Sequence, residues 1–77
     1  QAAAETIRRG ERERKAIEER LVAAMSSAPD LKIDYAAAAD GETLAQPDVF
    51  SARQSIVLLT AARLGATRLI DNLLVEA

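Results

Sequence analysis

The chain has 77 residues, 49% hydrophobic and 29% charged, with a formal net charge of -2 and neither Cys nor His. That length makes one small domain, which buries about 60% of the surface its unfolded form exposes and so has a thin core. No disulfide and no Cys/His zinc site is available to staple it, which leaves only weak carboxylate binding of metals.

Six basic residues lie between Arg8 and Arg20, but Glu5, Glu11, Glu13, Glu18 and Glu19 lie among them and nearly cancel the local field. Tyr35 and Phe50 are the only aromatics. A nucleic-acid interface needs excess positive charge on one face, and stacking rings if it grips single strands, so none is expected. Apolar runs such as Ile56-Val57-Leu58-Leu59 fall far short of the ~20 residues of a membrane helix, and no signal-peptide core leads the chain. No membrane contact is expected, and the missing cysteines fit a reducing compartment. Gln1-Ala2-Ala3-Ala4 is already helical in character, which reads as a piece of a longer chain.

Residues 2–9 predict a first helix, rich in alanine, with Ala3, Ala4 and Ile7 on its buried face. Gly10 ends it, because glycine takes positive φ without steric cost. A second helix is predicted over residues 11–27, with Ile17, Leu21, Ala24, Met25 and Ala28 at helical spacing and Pro29 as its stop. The pairs Glu11–Lys15, Arg14–Glu18 and Lys15–Glu19 are placed on its wet face. The alternative is one helix running through Gly10, but the apolar stripe breaks between Ile7 and Ile17.

From Leu31 to Tyr35 the pattern alternates, with Leu31, Ile33 and Tyr35 on one side, as in a half-buried strand. Ala36–Ala39 can extend it, although alanine has little β preference. Residues 40–54, with Gly41 and Pro47, read as a loop with a helical turn near Glu42–Leu44. Residues 55–64 fit either a strand or a helix that stops at Gly65, and periodicity alone does not decide between them. If they form a strand, Gly65-Ala66 is a tight turn and residues 67–75 return antiparallel.

Three blocks of this sequence resemble one family. Ala61-Ala62-Arg63-Leu64-Gly65-Ala66-Thr67-Arg68-Leu69-Ile70-Asp71-Asn72 resembles the closing signature of the pantothenate synthetases, the pantoate–β-alanine ligases. Ile33-Asp34-Tyr35, followed by Asp40, Thr43 and Leu44, resembles that family's strand and its D-x-x-T-L segment. Gly10-Glu11-Arg12 resembles the turn between the first two helices of the same domain.

The resemblance implies an α+β fold with two N-terminal helices packed on a small three-stranded antiparallel sheet. Residues 1–77 would be a single C-terminal lid domain, lacking the N-terminal Rossmann-like catalytic domain. The whole enzyme would be a cytoplasmic homodimer that uses ATP and magnesium to activate pantoate as an adenylate and then couples it to β-alanine. The family's two-histidine motif and its Ser-Arg-Asn motif do not occur here, so no catalytic, cofactor-binding or metal-binding residue is assigned to this chain. Met25-Ser26-Ser27 superficially resembles the phosphate-contacting segment, but Ala28-Pro29 follows it and a helix end is expected there.

Arg63 and Arg68 could face ATP phosphates, which suit bidentate arginine. The plainer reading is a solvated pair at a hairpin tip, or salt bridges to Asp71 or Glu76. Asp71 and Asn72 could be polar contacts of an active site, or could satisfy main-chain groups at a bulge or turn. Asp34 and Asp40 read as ordinary loop carboxylates. Residues 55–64 are apolar on both alternating faces, which calls for a second cover: the missing domain, another copy, or the loop 40–54. Self-association of the isolated chain is expected, through an exchanged first helix or through that second face. The rival function is a stand-alone dimerisation or adaptor module.

Overall fold

The computed structural model describes residues 2–76. Two helices, α1 (Ala2–Arg8) and α2 (Arg14–Met25), precede three strands, β1 (Leu31–Asp40), β2 (Ile56–Leu64) and β3 (Thr67–Val75). The strands form one antiparallel sheet in the order β1-β2-β3, with both helices on one face, as expected. The helical expectation for Gln1 lies outside the described residues.

The α1 helix closes in the manner its glycine foretells. Gly10 sits at φ 111°, its N–H donates to Ile7 O at 3.0 Å, and the Glu11 N–H donates to Thr6 O at 3.1 Å. These two reverse bonds satisfy carbonyls that the last helical turn leaves without a partner. The helices therefore stay separate, and Ala3, Ala4 and Ile7 dock into the core of their own chain.

The α2 helix is shorter than its pattern suggests, because both flanks have other partners. Residues 11–13 are drawn to the long loop: the Phe50 N–H donates to Arg12 O at 2.7 Å, and Glu13 bridges to Val49. Glu13 makes no side-chain cap, and the Asp48 carbonyl instead accepts the Arg14 N–H at 2.9 Å. At the other end Ser27 Oγ donates to Ala24 O at 2.8 Å, and the chain turns four residues before Pro29. Ile17 and Leu21 are buried and Met25 packs at the core's margin. Ala24 and Ala28, expected on the same stripe, are exposed.

β1 runs through all four alanines to Asp40, and Ala38 and Ala39 are its buried residues. The small side chains of Ala36 and Ala38, on the helix side, let α2 lie close over the strand. A bulge between Ile33 and Tyr35 shifts the register, so Ile33 pairs with Ala62 but Tyr35 pairs with Ala61. One extra residue reverses the alternation, and Tyr35 falls on the opposite face from Leu31 and Ile33, 44% exposed. Leu31 and Ile33 are half-buried.

β2 and β3 are strands, joined where Leu64 pairs with Thr67. Of the two intervening residues only Gly65 has positive φ, 59°, as a type II′ hairpin requires. Ile56 and Leu58 of β2, Val75 of β3 and Ala38 of β1 face the helices. Phe50 completes this core from the loop at 2% exposure.

Phe50 also decides where the loop goes. Its burial beside α1 and α2 holds that part of the loop on the helix side, while Gly41 at the loop's start packs against Leu74 of the sheet's second face. That face keeps Val57 and Leu59 half-buried, with Tyr35, Ile70 and Leu74 exposed.

Candidate functional site

The polar groups sort into four places. The first is an inter-element clamp built on α2. Arg14 Nη1 contacts Glu18 Oε1 at 2.8 Å, one helical turn apart, while Arg14 Nε donates to Pro47 O at 3.1 Å. The second carboxylate oxygen of Glu18 accepts the Ala38 N–H of β1 at 2.9 Å. The two side chains are only 20% and 19% exposed, so this is not the wet-face pair the helical spacing suggests. Their i,i+4 spacing was legible, but the loop and strand that cover them were not.

Arg12 forms the second. Its Nη1 donates to Ile7 O and Glu11 O, both at 2.9 Å, and its Nη2 to Ala52 O at 3.1 Å. It thereby ties the end of α1 to the far side of the loop, and its Nε is buried without a partner.

The third is the turn at Asp40. Asp40 Oδ1 accepts the N–H groups of Glu42 and Thr43, both at 2.8 Å, and Oδ2 accepts from Gln54 Nε2. These donors, Gln54 foremost, hold the Asp40 carboxyl well below the usual range, at about 2. The expected helical turn is present as a single turn, closed by the Leu44 N–H on Asp40 O at 3.0 Å, with Leu44 itself at φ 62°. Gly41 lets the chain close on itself, because a Cβ there would lie 2.7 Å from Leu74 Cδ1 and 3.0 Å from Ser55 Oγ. The D-x-x-T-L segment, Asp40 to Leu44, thus builds a turn, and Asp40 is a far more committed group than an ordinary loop carboxylate.

The hairpin tip is the fourth. Arg63 and Arg68 lie directly opposite each other, and Lys32 opposite Arg63. Asp34, the residue at the bulge, sits 3.5 Å from Arg63 Nε and 3.6 Å from Arg68 Nε. The anion between the arginines is therefore Asp34 rather than Asp71 or Glu76, because the bulge brings Asp34 into reach. Arg63 and Arg68 remain 61% and 53% exposed. Asp71 Oδ1 accepts the Asn72 N–H at 2.9 Å, inside β3 rather than at a bulge or turn. The structure does not gather Arg63, Arg68, Asp71 and Asn72 around one point.

Chemically, these groups hold the chain together. The well-anchored guanidinium groups of Arg12 and Arg14 are spent on main-chain carbonyls and Glu18, and those of Arg63 and Arg68 share the Asp34 carboxylate. Among the described residues no group of three His, Cys, Asp or Glu side chains converges as a metal site would require. Among the described residues no enclosed set of uncommitted cations faces a common point, as a nucleotide triphosphate would require.

The pantoate-beta-alanine ligase family matches residues 1–74. A pantothenate synthetase of Syntrophotalea carbinolica is 52% identical over 44 residues, 57% of this chain. That stretch spans 15% of the relative's length, so the chain resembles a small part of a much larger protein. With the match reaching from the first helix to the last strand, this chain belongs to the pantoate-beta-alanine ligase family.

Proposed function

We propose that the chain is the C-terminal lid domain of an enzyme that makes pantothenate. In that reaction ATP and magnesium activate pantoate as a pantoyl adenylate with loss of pyrophosphate. The amine of β-alanine then attacks the acyl carbon and AMP leaves. The groups that hold ATP and perform both steps would lie in an N-terminal Rossmann-like domain beyond these residues, in a cytoplasmic homodimer, and the 77 residues alone are inactive.

The family match over residues 1–74, set against a relative more than six times longer than the aligned stretch, carries this reading. The geometry supports the division of labour. The three blocks that resemble the family form a helix closure at Gly10, a turn at Asp40 and a hairpin at Gly65, all of which shape the domain.

Two measurements test it. Titration calorimetry of the chain with ATP and magnesium is expected to give a dissociation constant of about 1 mM or weaker, about -4 kcal/mol. A micromolar constant overturns the assignment of nucleotide binding elsewhere. Exchanging the aligned stretch of the Syntrophotalea relative for that of this chain is expected to preserve pantothenate formation. A folded but inactive chimera overturns the ligase reading.

A further inference from the structure

The two edges of the sheet are treated differently. On the β1 side, Glu18 takes the Ala38 N–H and the bulge at Asp34 breaks the strand's regularity. Both are known ways to stop an edge from recruiting another strand. β3 has no such protection: its nine residues pair with β2 in unbroken register, contain no proline or lysine, and are all exposed except Val75. Asp71 Oδ1 takes the Asn72 N–H, a local plug that a neighbouring strand can displace. Leu69, Ile70, Leu73 and Leu74 are 47%, 65%, 39% and 49% exposed.

We propose that β3 pairs antiparallel with β3 of a second copy about a two-fold axis at Asn72, fusing the two sheets into one. The sequence selects this register. Around Asn72, Arg68 lies opposite Glu76 of the second copy, and the same pair recurs on the other side of the axis. Ile70 meets Leu74 and Leu69 meets Val75, again twice each, which puts apolar groups on apolar groups, while Asp71 lies opposite Leu73. Moving the axis to Asp71 sets that carboxylate against its own copy. Moving it to Leu73 sets Glu76 against Ile70 and takes it away from Arg68. Opposite charges across strands stabilise and like charges destabilise, so the Asn72 axis is favoured. An isologous contact of this kind closes on itself and stops at two copies. The pairing also makes the uncovered second faces continuous and covers part of Ile70 and Leu74.

One strand per copy is a small interface, so association is weak and appears toward the top of an accessible concentration range. Sedimentation equilibrium of the 77-residue chain from about 10 µM to about 2 mM is expected to show a monomer–dimer equilibrium. Arg68→Glu and Glu76→Arg are each expected to raise the dissociation constant at least about tenfold, because each sets like charges against each other at both sites. An equimolar mixture restores the opposite pairs and is expected to recover wild-type affinity. Because the chain has no cysteine, oxidised Asn72→Cys is expected to cross-link to itself and Leu69→Cys is not, a readout independent of the charge variants. A monomer throughout the range overturns the proposal, and so does a charge variant that dimerises like the wild type. A mixture that stays monomeric, or equal cross-linking at Leu69 and Asn72, overturns it as well.

Discussion

Removing the Glu18 carboxylate tests whether helix, strand and loop are joined through one side chain. Glu18→Ala deletes a charge-assisted hydrogen bond to the Ala38 N–H at 2.9 Å and an ion pair with Arg14 at 2.8 Å. A hydrogen bond to a charged group contributes about 1.5–3 kcal/mol, and a helix pair four residues apart about 0.3–0.5 kcal/mol. With both side chains about one-fifth exposed, the lower half of the first range applies, giving a loss of about 2 kcal/mol. A domain of this size has about 4–12 kcal/mol in total, and a loss of that order lowers Tm by about 8–16 °C. Glu18→Gln keeps an acceptor of the same reach and is expected to cost about half as much. Glu19→Ala, next to it and exposed, is the control. It makes the same gain in helix propensity and is expected to stay within about 0.5 kcal/mol of wild type. Urea denaturation followed by far-UV circular dichroism measures all three. If Glu18→Ala costs no more than Glu19→Ala, the clamp does not hold the strand and the reasoning fails.

Asp40, with its folded pKa near 2 against 3.8 unperturbed, contributes stability that is full above about pH 4 and is lost as pH falls through its folded pKa. The stability gap between wild type and Asp40→Asn should therefore narrow between about pH 5 and about pH 2, and a constant gap in urea midpoints across that range would show that the turn gains nothing from the charge. In the core, Phe50→Ala is expected to cost about 3–5 kcal/mol and Leu21→Ala or Leu58→Ala about 2–5, whereas half-buried Ile33→Ala should cost less than either; guanidinium denaturation ranks them, and Ile33 at the top would put the core in the wrong place.

Local signals with a mechanism in one or two residues were readable in the sequence. Gly10 and Gly65 occur where the backbone needs positive φ, and both turns follow from them. Ile17 and Leu21 face the core as their spacing requires. The ambiguity of residues 55–64 is of a different kind: a strand apolar on both faces has no alternation to display, and only the family resemblance pointed to a strand. Tyr35 was misplaced because a single inserted residue reverses the face of everything after it, and nothing in Ile33-Asp34-Tyr35 announces a bulge. Helical spacing alone makes Arg14 and Glu18 a solvated pair, because it says who meets whom, not what lies on top. Phe50 gave no local signal at all, since its burial depends on the path of a loop whose contacts are with residues 12–14.

The meeting of α1 with β3 bears on how the domain is made in the cell. Val75 is buried in the same core as Ala3, Ala4 and Ile7, so the core around the first helix is completed by the last strand. At seven residues α1 is too short to persist unaided, and β3 has only β2 beside it. During translation α2, the main neighbour of α1, emerges early, but Val75 completes this part of the core only after it has cleared the ribosome, several seconds after residue 7 at about 5–20 residues per second. Completion of the core is therefore post-translational with respect to this domain, and a nascent chain stalled before Val75 holds α1 only through α2.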